Sequence, residues 1–134
     1  MKYFLLTVVI LGSLLAAVPS AFAQGVTFTT NALTVGYRPY CVTAADVNND
    51  GKLDLISANY QANTLTVLTN NGAGAFVLSA TLNLGYGPSY VVAADINGDN
   101  KPDLISANYD DSTLTVMTKN GNGGLGIKGT IHDV

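Results

Sequence analysis

Glutamate and tryptophan are absent from this chain of 134 residues, and cysteine and histidine each occur once. The single Cys41 excludes an intramolecular disulfide. We interpret it as a small buried apolar residue on a strand, with a reactive or intermolecular thiol as the alternative. Catalysis needs a base or nucleophile positioned in a pocket. The lone His132 lies near the end of the chain and no serine lies in a nucleophile elbow, so we predict that the chain is not an enzyme.

Basic residues are also few, since 6 Lys and Arg stand against 9 aspartates. Phosphate binding needs a cationic surface, so the balance argues against nucleic acid as a partner. Thr, Asn, Gly and Val are plentiful instead, and these residues favour strands and turns over helices. The composition therefore predicts an all-β protein.

One long apolar run occurs, Phe4–Val18, and it follows the basic start Met1-Lys2. Ala21-Phe22-Ala23 then offers a small-x-small cleavage site. This arrangement predicts a secretory signal peptide over residues 1–23 and an exported repeat region over residues 24–134, either extracellular or periplasmic. An uncleaved membrane anchor is the alternative, but the run is short for a span. We expect no membrane span after signal cleavage.

Six of the nine aspartates lie in two loops that are 49 residues apart. In both loops, side chains with oxygen atoms stand at positions 1, 3, 5 and 9, and position 7 can add its backbone carbonyl. Calcium is a hard cation that takes six to eight oxygen ligands, which such a loop supplies. We predict one Ca²⁺ per loop. The predicted ligands are Asp46, Asn48, Asp50, Lys52 (backbone) and Asp54 in the first loop, and Asp95, Asn97, Asp99, Lys101 (backbone) and Asp103 in the second.

The two loops differ from an EF-hand and from each other. Position 12 is Ser57 or Ser106 where an EF-hand has glutamate, and the flanking residues are typical of strands rather than helices. Position 6 is Gly51 in the first loop but Asn100 in the second. Asparagine tolerates a left-handed backbone less well than glycine. We therefore expect the first loop to bind calcium more tightly.

The loops belong to a longer internal repeat. Shifting the chain by 49 residues aligns Gly36–Phe76 with Gly85–Leu125, and 25 of these 41 positions are identical. The period and the short strand-like segments within it are typical of propeller blades. Repeat 1 then covers about residues 36–84 and repeat 2 about residues 85–133.

With its recurrent Asp-x-Asn-x-Asp loops, the chain resembles the FG-GAP/VCBS repeat proteins, whose calcium-loop blades are related to the β-propeller of integrin α-chains. The pattern predicts two four-stranded antiparallel propeller-type blades plus one extra strand, which is an incomplete β-propeller. The predicted strands are Tyr40–Ala45, Leu53–Asn59, Thr64–Thr69 and Phe76–Leu84 in the first blade, Ser89–Ala94, Asp103–Asn108, Thr113–Thr118 and Leu125–Ile131 in the second, and Val26–Val35 as the extra strand.

In such a meander the calcium loops lie at one end of the blades, and the links between blades lie at the other end with the loops between second and third strands. The resemblance implies that this second end is the recognition surface, although its repeated tyrosines could equally pack between blades. The candidate residues there are Tyr37, Arg38, Tyr40, Tyr60, Tyr86, Tyr109, Asp110 and Asp111.

We expect a secreted calcium-binding module for protein or glycan binding or adhesion. The alternatives are a structural or truncated propeller fragment without its own ligand, and, as a weaker hypothesis, a propeller-based carbohydrate-active enzyme. Known propellers close with roughly four to eight blades, so two blades leave an apolar sheet face uncovered. The chain could assemble with copies of itself or with another repeat protein, belong to a longer gene product, or persist as an open two-blade stack.

Overall fold

The computed structural model describes residues 32–119 and 124–132. The signal-peptide prediction and most of the predicted extra strand Val26–Val35 lie outside these residues, and residues 32–35 belong to none of the strands. The described residues contain no helix that is long and apolar enough to cross a membrane.

In residues 32–119 and 124–132, eight strands form two antiparallel sheets, and each sheet is a four-stranded meander in sequence order. The predicted strand map is confirmed to within one residue at almost every boundary, because Val, Ile and Thr runs alternate with Asn, Asp and Gly turns. The strands of sheet 1 are β1 Pro39–Ala45, β2 Asp54–Asn59, β3 Thr64–Asn70 and β4 Phe76–Asn83; those of sheet 2 are β5 Pro88–Ala94, β6 Asp103–Asn108, β7 Thr113–Lys119 and β8 Leu125–His132.

Each sheet has two chemically different faces, because successive side chains point to opposite sides. We call one the apolar face, formed in sheet 1 mainly by Ile56, Ala58, Leu65 and Val67, and in sheet 2 by Ile105, Ala107, Leu114 and Val116. The other is the mixed face, formed in sheet 1 mainly by Leu55, Ser57, Asn59, Thr64, Thr66 and Leu68, and in sheet 2 by Leu104, Ser106, Asn108, Thr113, Thr115 and Met117. The cross-strand registers of the two sheets place equivalent residues on equivalent faces.

The core lies between the sheets, where the apolar face of sheet 1 packs on the mixed face of sheet 2. Its buried members include Ile56, Leu65 and Val67 from sheet 1, and Leu104 and Met117 from sheet 2. The first strands, β1 and β5, contact each other across the interface. There the half-buried, free Cys41 lies 4.0 Å from the backbone oxygen of Val91. The prediction of an apolar strand residue agrees with this position, although Cys41 is half-buried rather than buried.

A buried polar network occurs on the mixed face of each sheet. Asn59 Nδ2 donates to Thr64 Oγ1 at 3.1 Å and to Thr66 Oγ1 at 2.8 Å, while Asn59 Oδ1 accepts from Ser57 Oγ at 2.9 Å. Asn108 repeats all three bonds in sheet 2. Because buried polar groups are costly without partners, these satisfied networks specify how the second and third strands pair.

Candidate metal centre and tyrosine-rich end

The two acidic loops join β1 to β2 and β5 to β6, so both lie at the same end of the sheets. In the first loop Asp46 accepts hydrogen bonds from the amides of Asp50 at 3.0 Å and Gly51 at 2.7 Å. Asn48 Oδ1 accepts a second bond from the Asp50 amide, and Asp50 Oδ1 accepts from Lys52 N. These side chain-to-backbone turns curl the loop around its first five residues.

The second loop has the same construction. Asp95 accepts from the amides of Gly98, Asp99 and Asn100 at 2.7–3.2 Å, and Asn97 Oδ1 and Asp99 Oδ1 accept from Asp99 N and Lys101 N. Partial desolvation opposes ionisation of Asp95, but the loop amides outweigh it and lower the pKa of this carboxyl group. The sequence repeat therefore folds into two equivalent loops.

The left-handed backbone that was expected at position 6 is confirmed, with φ of 81° at Gly51 and 60° at Asn100. Position 4 is also left-handed, with φ of 63° at Asn49 and 79° at Gly98. Each loop thus has one glycine and one asparagine at its two left-handed positions, but their order is reversed between the loops. The expectation that backbone strain makes the first loop bind calcium more tightly considered position 6 alone. Because each loop has one left-handed asparagine, backbone strain does not distinguish the two loops.

Position 9 differs between the loops in its hydrogen bonding. The fully buried Asp54 carboxylate accepts from Val47 N at 3.0 Å and from Asn70 N at 2.8 Å, so both oxygens have amide partners. Asp103 is equally buried, and its Oδ2 accepts from Ile96 N at 3.3 Å. Among the residues that the structure describes, Asp103 Oδ1 has no hydrogen-bond partner.

The two acidic loops meet the chemical requirement for a metal site but not the geometric one. Among the described residues, no three acidic, histidine or cysteine side chains converge as a metal-binding group. The donor chemistry nevertheless fits a hard cation, because each loop collects carboxylate and amide oxygens. The orphaned Asp103 Oδ1 is the kind of buried oxygen that a cation would satisfy.

Lys52 is the cation nearest to the first loop. Its Nζ lies 3.0 Å from Asp50 Oδ2, and this side-chain hydrogen bond is the main reason that the pKa of Asp50 is lowered. The backbone carbonyl of Lys52 is one of the predicted calcium ligands. The side chain and the backbone of Lys52 would therefore both contact groups of the first loop.

The predicted recognition residues gather at the opposite end, which we call the tyrosine-rich end: residues 36–40, 60–63, 85–89 and 109–112. Tyr37, Tyr40, Tyr86 and Tyr109 are all exposed there, at 64–73% of their surface. Arg38 is exposed and left-handed, with φ of 51°, and its carbonyl accepts from Tyr60 N. Most of the predicted residues therefore do share one surface.

Tyr60 has a different role from its repeat partner Tyr109. Its ring lies 4.7 Å from that of Tyr40, and its hydroxyl donates to Asp110 Oδ1 at 2.7 Å. This bond to Asp110 raises the pKa of Tyr60. Tyr60 thus links the two repeats, as the packing interpretation expected, whereas Tyr109 extends into solvent.

Sequence reasoning missed Asn63, which lies at this end with φ of 56°. Asn63 Oδ1 accepts from Gly87 N at 3.0 Å and fixes the link between the sheets, while Asp111 Oδ2 accepts from Tyr86 N at 2.6 Å. A short polar residue just before a Thr-Leu-Thr-Val strand, Asn63 or Ser112, was the available signal for this turn.

Comparison with protein families supports the internal repeat. Residues 46–106 match the family model described as FG-GAP-like repeat, from the first acidic loop to the middle of β6. Comparisons with curated proteins and with solved structures found no match. The family match supports an FG-GAP-like repeat over residues 46–106 of the chain.

Proposed function

We propose that this chain is an exported, calcium-stabilised module of the β-propeller type that binds a protein or glycan at its tyrosine-rich end. The observation that carries the binding role is the group of four exposed tyrosine rings at that end. Tyrosine offers a rigid apolar ring and a hydroxyl group in one side chain, so such rings are enriched where partners bind.

Calcium would serve structure rather than chemistry. When bound, it would offset two of the three carboxylate charges of each loop and tie the end of one strand to the start of the next. The holding residues would be the side chains at positions 1, 3, 5 and 9 and the carbonyls of Lys52 and Lys101. Support comes from the oxygen-only donor sets and from the unpartnered Asp103 Oδ1.

The calcium role is tested by thermal unfolding with millimolar calcium and with excess chelator. Extracellular modules bind calcium with Kd of about 10⁻⁴–10⁻³ M. Mass action then predicts a gain of about 1–2 kcal/mol in the free energy of unfolding per site. An unchanged melting curve would rule out the calcium role and leave the binding role to its own test.

The binding role is tested on a glycan array with the calcium-loaded chain. A variant with Tyr86→Ala and Tyr109→Ala should lose any signal, because it removes two exposed rings without touching the core. The matched control is Tyr90→Ala, which removes a ring of similar exposure from the surface of β5. Equal loss in both variants would contradict a site at the tyrosine-rich end.

A further inference from the structure

A cavity of about 390 Å³ opens in sheet 2 at the tyrosine-rich end. Its lining residues include Tyr109, Ser112, Leu114 and Ile131. Ligand pockets typically have about 300–1,000 Å³ and combine apolar and aromatic walls with a few polar groups. The cavity has this size and this mixture of groups, so it can hold a small ligand or a short segment of a larger one.

The internal repeat gives this cavity an equivalent place in sheet 1. Subtracting 49 from the four lining residues gives Tyr60, Asn63, Leu65 and Leu82. The backbone agrees at the turn, with φ of 56° at Asn63 and 53° at Ser112. Leu65, however, is 0% exposed, whereas Leu114 is 43% exposed. The place in sheet 1 is therefore covered, and its counterpart in sheet 2 is open.

The link between the sheets occupies the place in sheet 1 with a Gly-Pro turn. Gly87 N donates to Asn63 Oδ1 at 3.0 Å, and Leu84 N of the same link donates to Asn63 O at 2.9 Å. A Cβ on Gly87 would lie 3.0 Å from Tyr60 Cε2, so glycine lets the backbone approach this ring closely. Pro88 is fully buried at the start of β5, which contacts β1 and β2. The turn thus uses a hydrogen-bond acceptor, an aromatic ring and a buried position for proline.

The cavity in sheet 2 offers the same kinds of group to an outside molecule. Tyr109, the counterpart of Tyr60, is 73% exposed. Ser112 stands in place of Asn63, and its hydroxyl oxygen can accept a hydrogen bond from an amide. Ser89 and Ala107 line the side of the cavity formed by β5 and β6. These two strands correspond to β1 and β2, on which the strand that begins with Pro88 packs.

We propose that this cavity binds a Gly-Pro turn of a partner protein, with the glycine beside the Tyr109 ring and its amide directed at Ser112. The proline would lie on the β5–β6 side of the cavity. This inference rests on the proposed function, because it makes the partner at the tyrosine-rich end a protein rather than a glycan. A Gly-Pro turn suits the site, since glycine adopts the left-handed φ seen at Gly87, 66°, without strain. Proline has a fixed φ, so less entropy is lost when the turn binds.

The probe is a fluorescein-labelled peptide with the sequence of residues 82–89, Leu-Asn-Leu-Gly-Tyr-Gly-Pro-Ser. Fluorescence anisotropy with the full chain in calcium should show saturable binding. A control peptide with alanine in place of the second glycine should bind about five- to thirtyfold more weakly, because alanine disfavours a left-handed backbone. Equal affinity for the two peptides, or no saturable binding of the first, would overturn the proposal.

Three variants of the chain locate the site. Tyr109→Ala should weaken peptide binding about two- to tenfold through the lost ring. The matched control is Tyr86→Ala, since Tyr86 is 66% exposed at the same end but does not line the cavity. Ser112→Asn should strengthen binding about two- to tenfold, because it supplies the side-chain acceptor that Asn63 gives to the link. A gain of affinity cannot come from a variant that fails to fold.

The pattern of losses separates this inference from the proposed function. Weaker binding in Tyr109→Ala places the peptide in the cavity, since a peptide that displaced the link in sheet 1 would depend on Tyr60 instead. An equal effect of Tyr86→Ala and Tyr109→Ala would overturn the proposal. A glycan signal that requires both tyrosines, without peptide binding, would overturn it and leave the proposed function intact. Equal loss of peptide and glycan binding in Tyr90→Ala would place the site away from the tyrosine-rich end and overturn both.

Discussion

Asp54 and Asp103 are identical residues at equivalent positions, yet their environments differ by one hydrogen bond. Asp54 has an amide partner for each oxygen, whereas Asp103 Oδ1 has none in the described part of the chain. A buried carboxylate oxygen without a donor is costly. The second loop therefore has more to gain from a bound cation than the first, although the side chains offered to the metal are the same.

We predict that Asp54→Asn destabilises the calcium-free protein more than Asp103→Asn. The side-chain amide introduced at position 54 would place a donor against the backbone amide of Val47 or Asn70, at a cost of about 1–3 kcal/mol. In Asp103→Asn the new NH₂ group can occupy the side that has no partner. Urea unfolding in excess chelator measures the difference, and an equal or larger loss in Asp103→Asn would contradict it.

The two left-handed positions in each loop lead to a second prediction. Asn49→Gly and Asn100→Gly each remove a side chain from a left-handed residue, so both should raise the calcium affinity of their own loop by a similar factor. Isothermal titration calorimetry on the two single variants is the measurement. A gain in calcium affinity in Asn100→Gly but not in Asn49→Gly would contradict this prediction and would show that position 6 alone distinguishes the loops.

At the level of elements, the link between the sheets depends on contacts from the β2–β3 and β6–β7 loops. Tyr60 from the first loop donates to Asp110 of the second, and Asn63 accepts from Gly87 in the link itself. Close approach of the link explains its glycine, since a Cβ at Gly87 would meet Asp110 as well as Tyr60. These contacts set the position of β5 beside β1.

The raised pKa of Tyr60 predicts how this link responds to pH. A group whose pKa is higher in the folded state stabilises the fold below its unfolded pKa of about 10, and that stabilisation is lost as pH rises through the folded pKa. The protein should therefore lose stability at alkaline pH, and Tyr60→Phe should reduce that part of the loss. Ultraviolet absorbance titration should show a tyrosine whose pKa lies above its usual value. In Asp110→Asn this pKa should return toward the usual value.

At the level of the whole molecule, the two repeats differ at the residue that precedes their first strand. Arg38 stands where the second repeat has Gly87, and it is strained by its left-handed backbone, with φ of 51°. We predict that Arg38→Gly raises the free energy of unfolding by up to about 1 kcal/mol, because glycine relieves this strain. Urea unfolding would measure the change, with Arg38→Ala as the control that removes the charge but keeps the strain; equal stability of the two variants would contradict the prediction.

Much of the fold could be predicted from the sequence, for identifiable reasons. The strands are short, rich in Val, Ile and Thr, and bounded by Asn, Asp and Gly, so local propensity and the 49-residue repeat agree. The same repeat predicted two acidic loops at one end and the tyrosines at the other, because a meander alternates its connections between ends.

Only the tertiary structure decided which repeated residues are used. Leu65 and Leu114, Val42 and Val91, and Tyr60 and Tyr109 have the same or similar local sequence, and the members of each pair differ in what covers or contacts them. Burial depends on what packs against a residue. Two sheets share one interface, so equivalent residues of the two repeats are not covered alike. The unpartnered Asp103 Oδ1 likewise reflects how the neighbouring strands meet, which local sequence does not encode.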